Sequence, residues 1–143
     1  MSKGKVMIIE DDELSALWTK KCVELAGYET CPVAESAEEA HLYMRTNSPD
    51  VLLMDINLPC DRNGIDLATE FWELFKIPSI FITAYDLSEV PFAMKSPGAK
   101  GYIRKPIQQK ELNQVLDNVF QHGLEVPLRP PRPPDSVEYK NSR

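Results

Sequence analysis

Four short apolar runs in this chain each end in groups that can do chemistry. Val51-Leu52-Leu53-Met54 ends in Asp55, and Val6-Met7-Ile8-Ile9 ends in Glu10-Asp11-Asp12. Ile80-Phe81-Ile82 ends in Thr83, and Gly101-Tyr102-Ile103 is followed by Arg104-Lys105-Pro106. Runs this short, with no polar alternation, read as strands buried on both faces, as in parallel sheets. Ligands of an open α/β sheet bind beyond the carboxyl ends of its strands. If the four runs are parallel, one edge gathers acids, a hydroxyl and an ammonium.

Helical periodicity fills the gaps between the runs. Strand and helix alternate five times, which predicts βαβ units and a parallel α/β sheet. The first strand is expected at residues 5–10. Leu14, Leu17, Trp18, Cys22 and Leu25 recur at helical spacing after it, and Gly27 stops that helix. Residues 28–33 read as a second, more exposed strand. Ser36 and Glu39 form a capping box for the second helix, and Ser48-Pro49 ends it. A turn-rich loop at residues 59–64 precedes a third helix with Leu67, Ala68, Phe71, Trp72 and Phe75 on one face. Ile77-Pro78 breaks that helix before the fourth strand. Ser88 is the expected N-cap of a short, mobile fourth helix, with Pro91 tolerated in its first turn and Ser96-Pro97-Gly98 ending it. The fifth helix is expected at residues 107–121, with Leu112, Val115, Leu116, Val119 and Phe120 inward. The large residues at helical spacing, Trp18 and Trp72 included, are assigned to the core.

A chain of 143 residues is long enough for one domain with its own core. We divide it into a domain at residues 1–123 and a tail at 124–143. Pro127, Pro130, Pro131, Pro133 and Pro134 crowd the tail beside Arg129 and Arg132, a composition that favours polyproline II or disorder. The net charge of −6 gives no support for nucleic-acid binding. No apolar stretch approaches the roughly 20 residues needed to span a bilayer, and residues 1–5 do not read as a signal peptide. Cys22, Cys31 and Cys60 are an odd set without pairing spacing, which fits a reducing, cytoplasmic setting. Cys60 is read as an ordinary free thiol. His41 and His122 stand alone in helical patterns and do not make a zinc site.

Glu10, Asp11 and Asp55 would form an acidic cluster at the strand ends. Like charges this close repel unless a cation neutralises them, and hard carboxylate oxygens suit Mg²⁺. Asp11 and Asp55 are the expected direct ligands. Glu10 would act through water, and the Asn57 backbone carbonyl would supply a further oxygen. Asp12 is assigned to cap the first helix. Lys105 adds a point charge and Thr83 a hydroxyl donor around the same carboxylate, a set that suits a tetrahedral dianion. Aspartate can serve as a nucleophile and form an aspartyl phosphate.

The ordered set Glu10-Asp11, Asp55, Thr83 and Lys105-Pro106, each member at a strand end, resembles the receiver domain of two-component response regulators. Pro59 and Gly64, Gly98-Ala99 and Tyr102 add to the likeness, which runs over residues 5–121. The resemblance implies a flavodoxin-like, doubly wound sheet with strand order 2-1-3-4-5. It implies phosphorylation of Asp55 by a histidine kinase or histidine phosphotransfer protein, with Mg²⁺ required. It further implies a switch through Thr83 and Tyr102, and a cis Lys105–Pro106 peptide. The readout face would be the fourth helix, fifth strand and fifth helix, in a monomer or a phosphorylation-dependent dimer. Simple strand packing is an open alternative for Tyr102. Asn57 and Tyr85 flank the site.

A phosphatase of the haloacid dehalogenase type also uses a nucleophilic aspartate after an apolar strand. It needs a second aspartate two residues on, where this chain has Asn57, which cannot relay a proton in that way. We therefore expect a signalling module and no enzyme. A flavodoxin-like nucleotide binder would need a glycine-rich phosphate loop after the first strand, where Glu10-Asp11-Asp12 stands instead. A receiver cut from a longer regulator or hybrid kinase is a further reading. Met1 and the polar end at Asn141-Ser142-Arg143 favour a complete chain.

Overall fold

The computed structural model describes residues 3–56, 64–84 and 90–122. Asn57, Pro59, Cys60, Tyr85, Ser88 and the tail at 124–143 lie outside the described residues. Ten elements alternate: β1 (Lys5–Ile9), α1 (Glu13–Leu25), β2 (Glu29–Thr30), α2 (Ala37–Asn47), β3 (Val51–Asp55), α3 (Gly64–Phe75), β4 (Ser79–Thr83), α4 (Val90–Ala93), β5 (Ala99–Arg104) and α5 (Gln109–His122). The strands form one all-parallel sheet in the order β2-β1-β3-β4-β5, the doubly wound arrangement expected.

β3 is the middle strand, bonded to β1 on one edge and β4 on the other. Alternate residues of the sheet enter two separate cores. Met7, Ile9, Leu52, Met54, Phe81 and Tyr102 pack under α2, α3 and α4. Val6, Ile8, Val51, Leu53, Ile80, Ile82 and Ile103 pack under α1 and α5. Both faces of β3 are therefore dry, which explains why its sequence carries no alternation. No helix of the described residues is long and apolar enough to cross a membrane.

The caps follow the local chemistry. Asp12 is the N-cap of α1 and accepts from the Ser15 amide at 2.8 Å, which holds its exposed carboxyl below the usual range. Ser36 accepts from the Glu39 amide at 3.2 Å, while the Glu39 carboxylate reaches one residue further back than a capping box requires, to the Glu35 amide at 2.8 Å. Ser48 ends α2 in the left-handed region, at φ 49°, rather than in extended backbone. Gly98 needs its glycine twice: its φ is 85°, and an added Cβ would lie 2.7 Å from the Trp72 ring. α4 has only four residues, with Pro91 in its single turn.

Several expectations are corrected. β2 is two residues long rather than six, followed by one isolated bridge between Ile9 and Ala34. As the outer strand next to β1, its length is set by how far that edge is followed, which residue type does not encode. α1 buries Ala16, Thr19, Cys22 and Val23 against the sheet, while Leu14, Leu17, Trp18 and Leu25 face outward. Small groups let the helix sit close to β1. A helical period marks a stripe of apolar residues but not which of two neighbouring stripes meets the sheet. Trp18 is held at its edge, donating from Nε1 to the Ile107 carbonyl at 3.0 Å. Trp72 and Phe75 are likewise outside the fully buried set, and Trp72 lies under the Lys76 and Lys100 ammonium groups at 5.2 and 5.9 Å.

Tyr28 leads into β2 and ties it to α5. Its hydroxyl donates to Asp117 Oδ1 at 2.6 Å, and its ring meets Phe120 at 4.7 Å. Burial, followed by the bond to Asp117 and its charge, raises the phenol pKa. The folded state then keeps a proton that the unfolded chain releases near pH 10. The stability this contributes should be complete below about pH 10 and fall as pH rises further. Tyr28→Phe should flatten that alkaline slope in urea midpoints measured across pH; an unchanged slope would count against it.

Candidate functional site

The carboxyl ends of β1, β3, β4 and β5 lie side by side, and backbone bonds continue past the strands to fix the residues just beyond them. The Glu10 amide donates to the Ala34 carbonyl at 2.9 Å, the Ile56 amide to Ile82 at 3.0 Å, and the Lys105 amide to Thr83 at 2.7 Å. These bonds set the backbone at Glu10, Asp55 and Lys105. Gly64, at the first turn of α3, donates its amide to the Ile56 carbonyl at 2.9 Å. A Cβ there would collide with the Asp55 carbonyl oxygen, so only glycine lets α3 approach so closely.

Glu10, Asp11 and Asp55 each present a carboxylate oxygen within 4.8 Å of the others. Glu10 and Asp55 are buried, and Asp11 is exposed at the mouth. Glu10 is oriented from two sides. Its Oε2 accepts from the Asp12 amide at 3.2 Å, and its Oε1 forms an ion pair with the Lys105 ammonium at 2.8 Å. Lys105 Nζ also stands 3.7 Å from Asp55 Oδ2. Burial pulls the Lys105 pKa down, but the bond to Glu10 and the charges of Asp55, Glu10 and Asp12 outweigh it, and the net shift is upward. The ammonium is thus held in its charged form.

Three carboxylates face one ammonium, a formal excess of two negative charges. A hard dication fits that excess and that donor set. Thr83 closes β4 and is buried, one residue beyond Ile82, which is the register partner of Asp55. Tyr102 lies inward on β5, opposite Phe81 and within the core under α3 and α4. The Lys105–Pro106 peptide is cis. Of the expected site residues, Glu10, Asp11, Asp55 and Lys105 converge directly. Thr83 stands at the adjoining strand end, Tyr102 is buried three residues upstream of Lys105, and Asn57 lies outside the described residues.

Two contributors are not visible as chemical motifs. The Ala34 carbonyl anchors Glu10, and nothing in an alanine signals that. Gly64 reads from the residues as the end of a turn-rich loop, whereas its contact with Asp55 gives it a role at the site. A glycine opening an amphipathic helix is the one signal the residues offer.

Comparison with known proteins agrees with this geometry. Residues 6–117 match the model of the response regulator receiver domain. The chain belongs to that family. It is similar to the transcriptional regulatory protein KdpE of Staphylococcus aureus, with 32% identity over 127 residues, covering 87% of this chain and 54% of that protein. The chain therefore spans about half the length of KdpE. It is also similar to the polar-differentiation response regulator DivK of Brucella ovis, with 36% identity over 107 residues, covering 71% of this chain and 84% of DivK. Among solved structures, the signal receiver domain of a modulated diguanylate cyclase from Desulfovibrio desulfuricans G20 superposes with a TM-score of 0.75 at 28% identity, over 84% of this chain and 95% of that one. A CheY-like receiver domain protein from Methanospirillum hungatei JF-1 gives 0.73 at 26%, over 84% and 95%. Receiver domains of the two-component type serve phosphorylation-dependent signalling, and they generally bind Mg²⁺ in an acidic pocket of this kind.

Gly64→Ala should destabilise the receiver by about 1–3 kcal/mol, the usual cost of overpacking, read as a lower urea midpoint. Glu10→Gln should lower the Lys105 pKa more than Asp55→Asn does, because Glu10 is the nearer charge, at 2.8 Å against 3.7 Å. Titration of the Lys105 ε-carbon by NMR, with chelator present, would show it; a pKa unmoved in both variants would contradict the arrangement.

Proposed function

We propose that the chain is a signalling switch in which Asp55 accepts a phosphoryl group from a histidine kinase or a histidine phosphotransfer protein. The observation that carries this reading is the meeting of three carboxylates from β1 and β3 with an ammonium from the end of β5. Asp55 is the phosphoacceptor. One of its carboxylate oxygens forms a P–O bond as the donor's P–N bond breaks, and the imidazole leaves with the electron pair and takes up a proton. Lys105 offsets negative charge on the transferring group. It bridges Glu10 and Asp55, so it is already near the reacting oxygen at no further ordering cost. Thr83 then donates its hydroxyl to a phosphoryl oxygen.

Asp11 and Asp55 would hold Mg²⁺ directly, with Glu10 acting through water and the Asn57 carbonyl as a further ligand. When bound, the ion supplies charge neutralisation and orientation for the phosphoryl oxygens. Glu10 is engaged by Lys105 and the Asp12 amide, which suits a supporting role better than direct ligation.

We infer signalling rather than catalytic turnover. Asn57 replaces the proton-relaying aspartate of the phosphatase arrangement, so the phosphoryl group is stored on Asp55. The readout is assigned to the face of α4, β5 and α5, switched through Thr83 and Tyr102. Phe92 stands exposed on α4, and the Ser96 hydroxyl is bonded to Thr69 of α3 at 2.6 Å, so a shift at the end of α4 is coupled to α3. Tyr102 packs between those elements and the sheet.

Incubation with acetyl phosphate and Mg²⁺ should add one phosphoryl mass to the chain and none to Asp55→Asn. No adduct, or equal labelling of the variant, would overturn the assignment. Lys105→Gln should slow labelling about 100-fold, the scale of removing one charge-stabilising donor. The same change should tighten Mg²⁺ binding by calorimetry, because it removes a competing cation. Asp11→Asn should weaken it.

A further inference from the structure

Trp18 is half exposed on the outer side of α1, yet its indole is fixed. Its Nε1 donates to the Ile107 carbonyl at 3.0 Å, which joins positions 89 residues apart. An indole has a donor and no acceptor, so the atom it can grip here is a carbonyl oxygen. One turn further along α1, the Cys22 carbonyl accepts from Gln109 Nε2 at 2.8 Å, and Gln109 opens α5. α1 thus holds the segment between β5 and α5 at two points, Ile107 and Gln109.

Lys105 stands two residues before Ile107. Its own amide donates to the Thr83 carbonyl at 2.7 Å. Between these anchors lies Pro106, which has no amide to give. The backbone at Lys105 is therefore set by β4 on one side and by α1 on the other. Glu10 takes support from the same helix: the Asp12 amide donates to Glu10 Oε2 at 3.2 Å, and Asp12 is the N-cap of α1. α1 holds both members of an ion pair, Glu10 from its amino end and Lys105 through Trp18. Within that frame Lys105 Nζ meets Glu10 Oε1 at 2.8 Å and stands 3.7 Å from Asp55 Oδ2. A lysine stem is flexible, so the place of its ammonium depends on where its backbone is held.

We propose that Trp18 is a positioning residue for Lys105, tethering the end of β5 to α1 so that the ammonium faces Asp55. Trp18 touches no reacting atom and acts through the Ile107 carbonyl. Its effect on phosphoryl transfer rests on the phosphoacceptor reading of Asp55; the tether itself does not. A small misplacement of a charge-stabilising group is costly in rate, which is why a bond remote from the reacting oxygen matters. The tether also accounts for the outward place of Trp18, whose indole must lie at the edge of α1 to reach a carbonyl beyond β5.

Trp18→Phe keeps a ring on α1 and removes the donor. With acetyl phosphate and Mg²⁺, the variant of the full chain should take label about tenfold more slowly than the wild type, the scale of one hydrogen bond, and reach the same final mass. In a Lys105→Gln background Trp18→Phe should have no further effect, because the group it positions is gone. Equal slowing in both backgrounds, as a general loss of rigidity would give, would overturn the proposal. Gln109→Met removes the second tether and should also slow labelling; normal rates in both single variants would overturn the proposal too. The tether is read without any phosphodonor from the Trp18 indole N–H resonance, assigned by its absence from the Trp18→Phe spectrum. It should move in Lys105→Gln, and a resonance that stays in place would sink the tether. A wild type that takes no label, with an indole resonance that follows Lys105, would remove the phosphoacceptor reading and leave the tether standing.

Discussion

β3 is hydrogen-bonded along both edges and covered on both faces, so its five residues are all buried. The arrangement delivers a carboxylate, Asp55, to the exit of a dry strand. A charge held there needs compensation, because water is excluded from most of its surroundings. The neighbouring strands provide it in part. β5 ends at Arg104, and the bond from the Lys105 amide to the Thr83 carbonyl holds the next residue, Lys105, beside the cluster. β1 leads into Glu10 and Asp11, which increase the negative charge. The cluster is thus built to hold more anionic charge than its own lysine can offset, the condition for taking up a hard cation.

The helices serve this edge at different distances. α3 must begin almost on top of the Asp55 carbonyl, and glycine at 64 permits it. α1 is preceded by Asp12, whose amide orients Glu10 and whose carboxylate caps the helix. One residue therefore links the helix start to the site. α4 is reduced to a single turn, bonded through Ser96 to α3 and packed near Tyr102. A short element with few contacts of its own is the part of such a fold that can move at least cost.

α1 departs from the amphipathic logic of α3 and α5. α3 and α5 turn large apolar residues such as Phe71, Leu112 and Leu116 to the sheet. α1 instead turns Ala16, Thr19, Cys22 and Val23 inward and leaves its leucines and Trp18 outside. Its apolar content is therefore not explained by the core of one chain.

The strands, their parallel pairing and the carboxylate cluster were legible in the residues, because an unalternating apolar run has few ways to be buried and its last residue must then emerge at one edge. The N-caps at Asp12 and Ser36 were legible for a similar reason: they act within three residues of themselves. The length of β2, the inward face of α1 and the roles of Ala34 and Gly64 were not. Each depends on how closely two elements distant in the chain approach one another. Apolar periodicity records that a helix has a greasy stripe; only packing decides whether the sheet covers it.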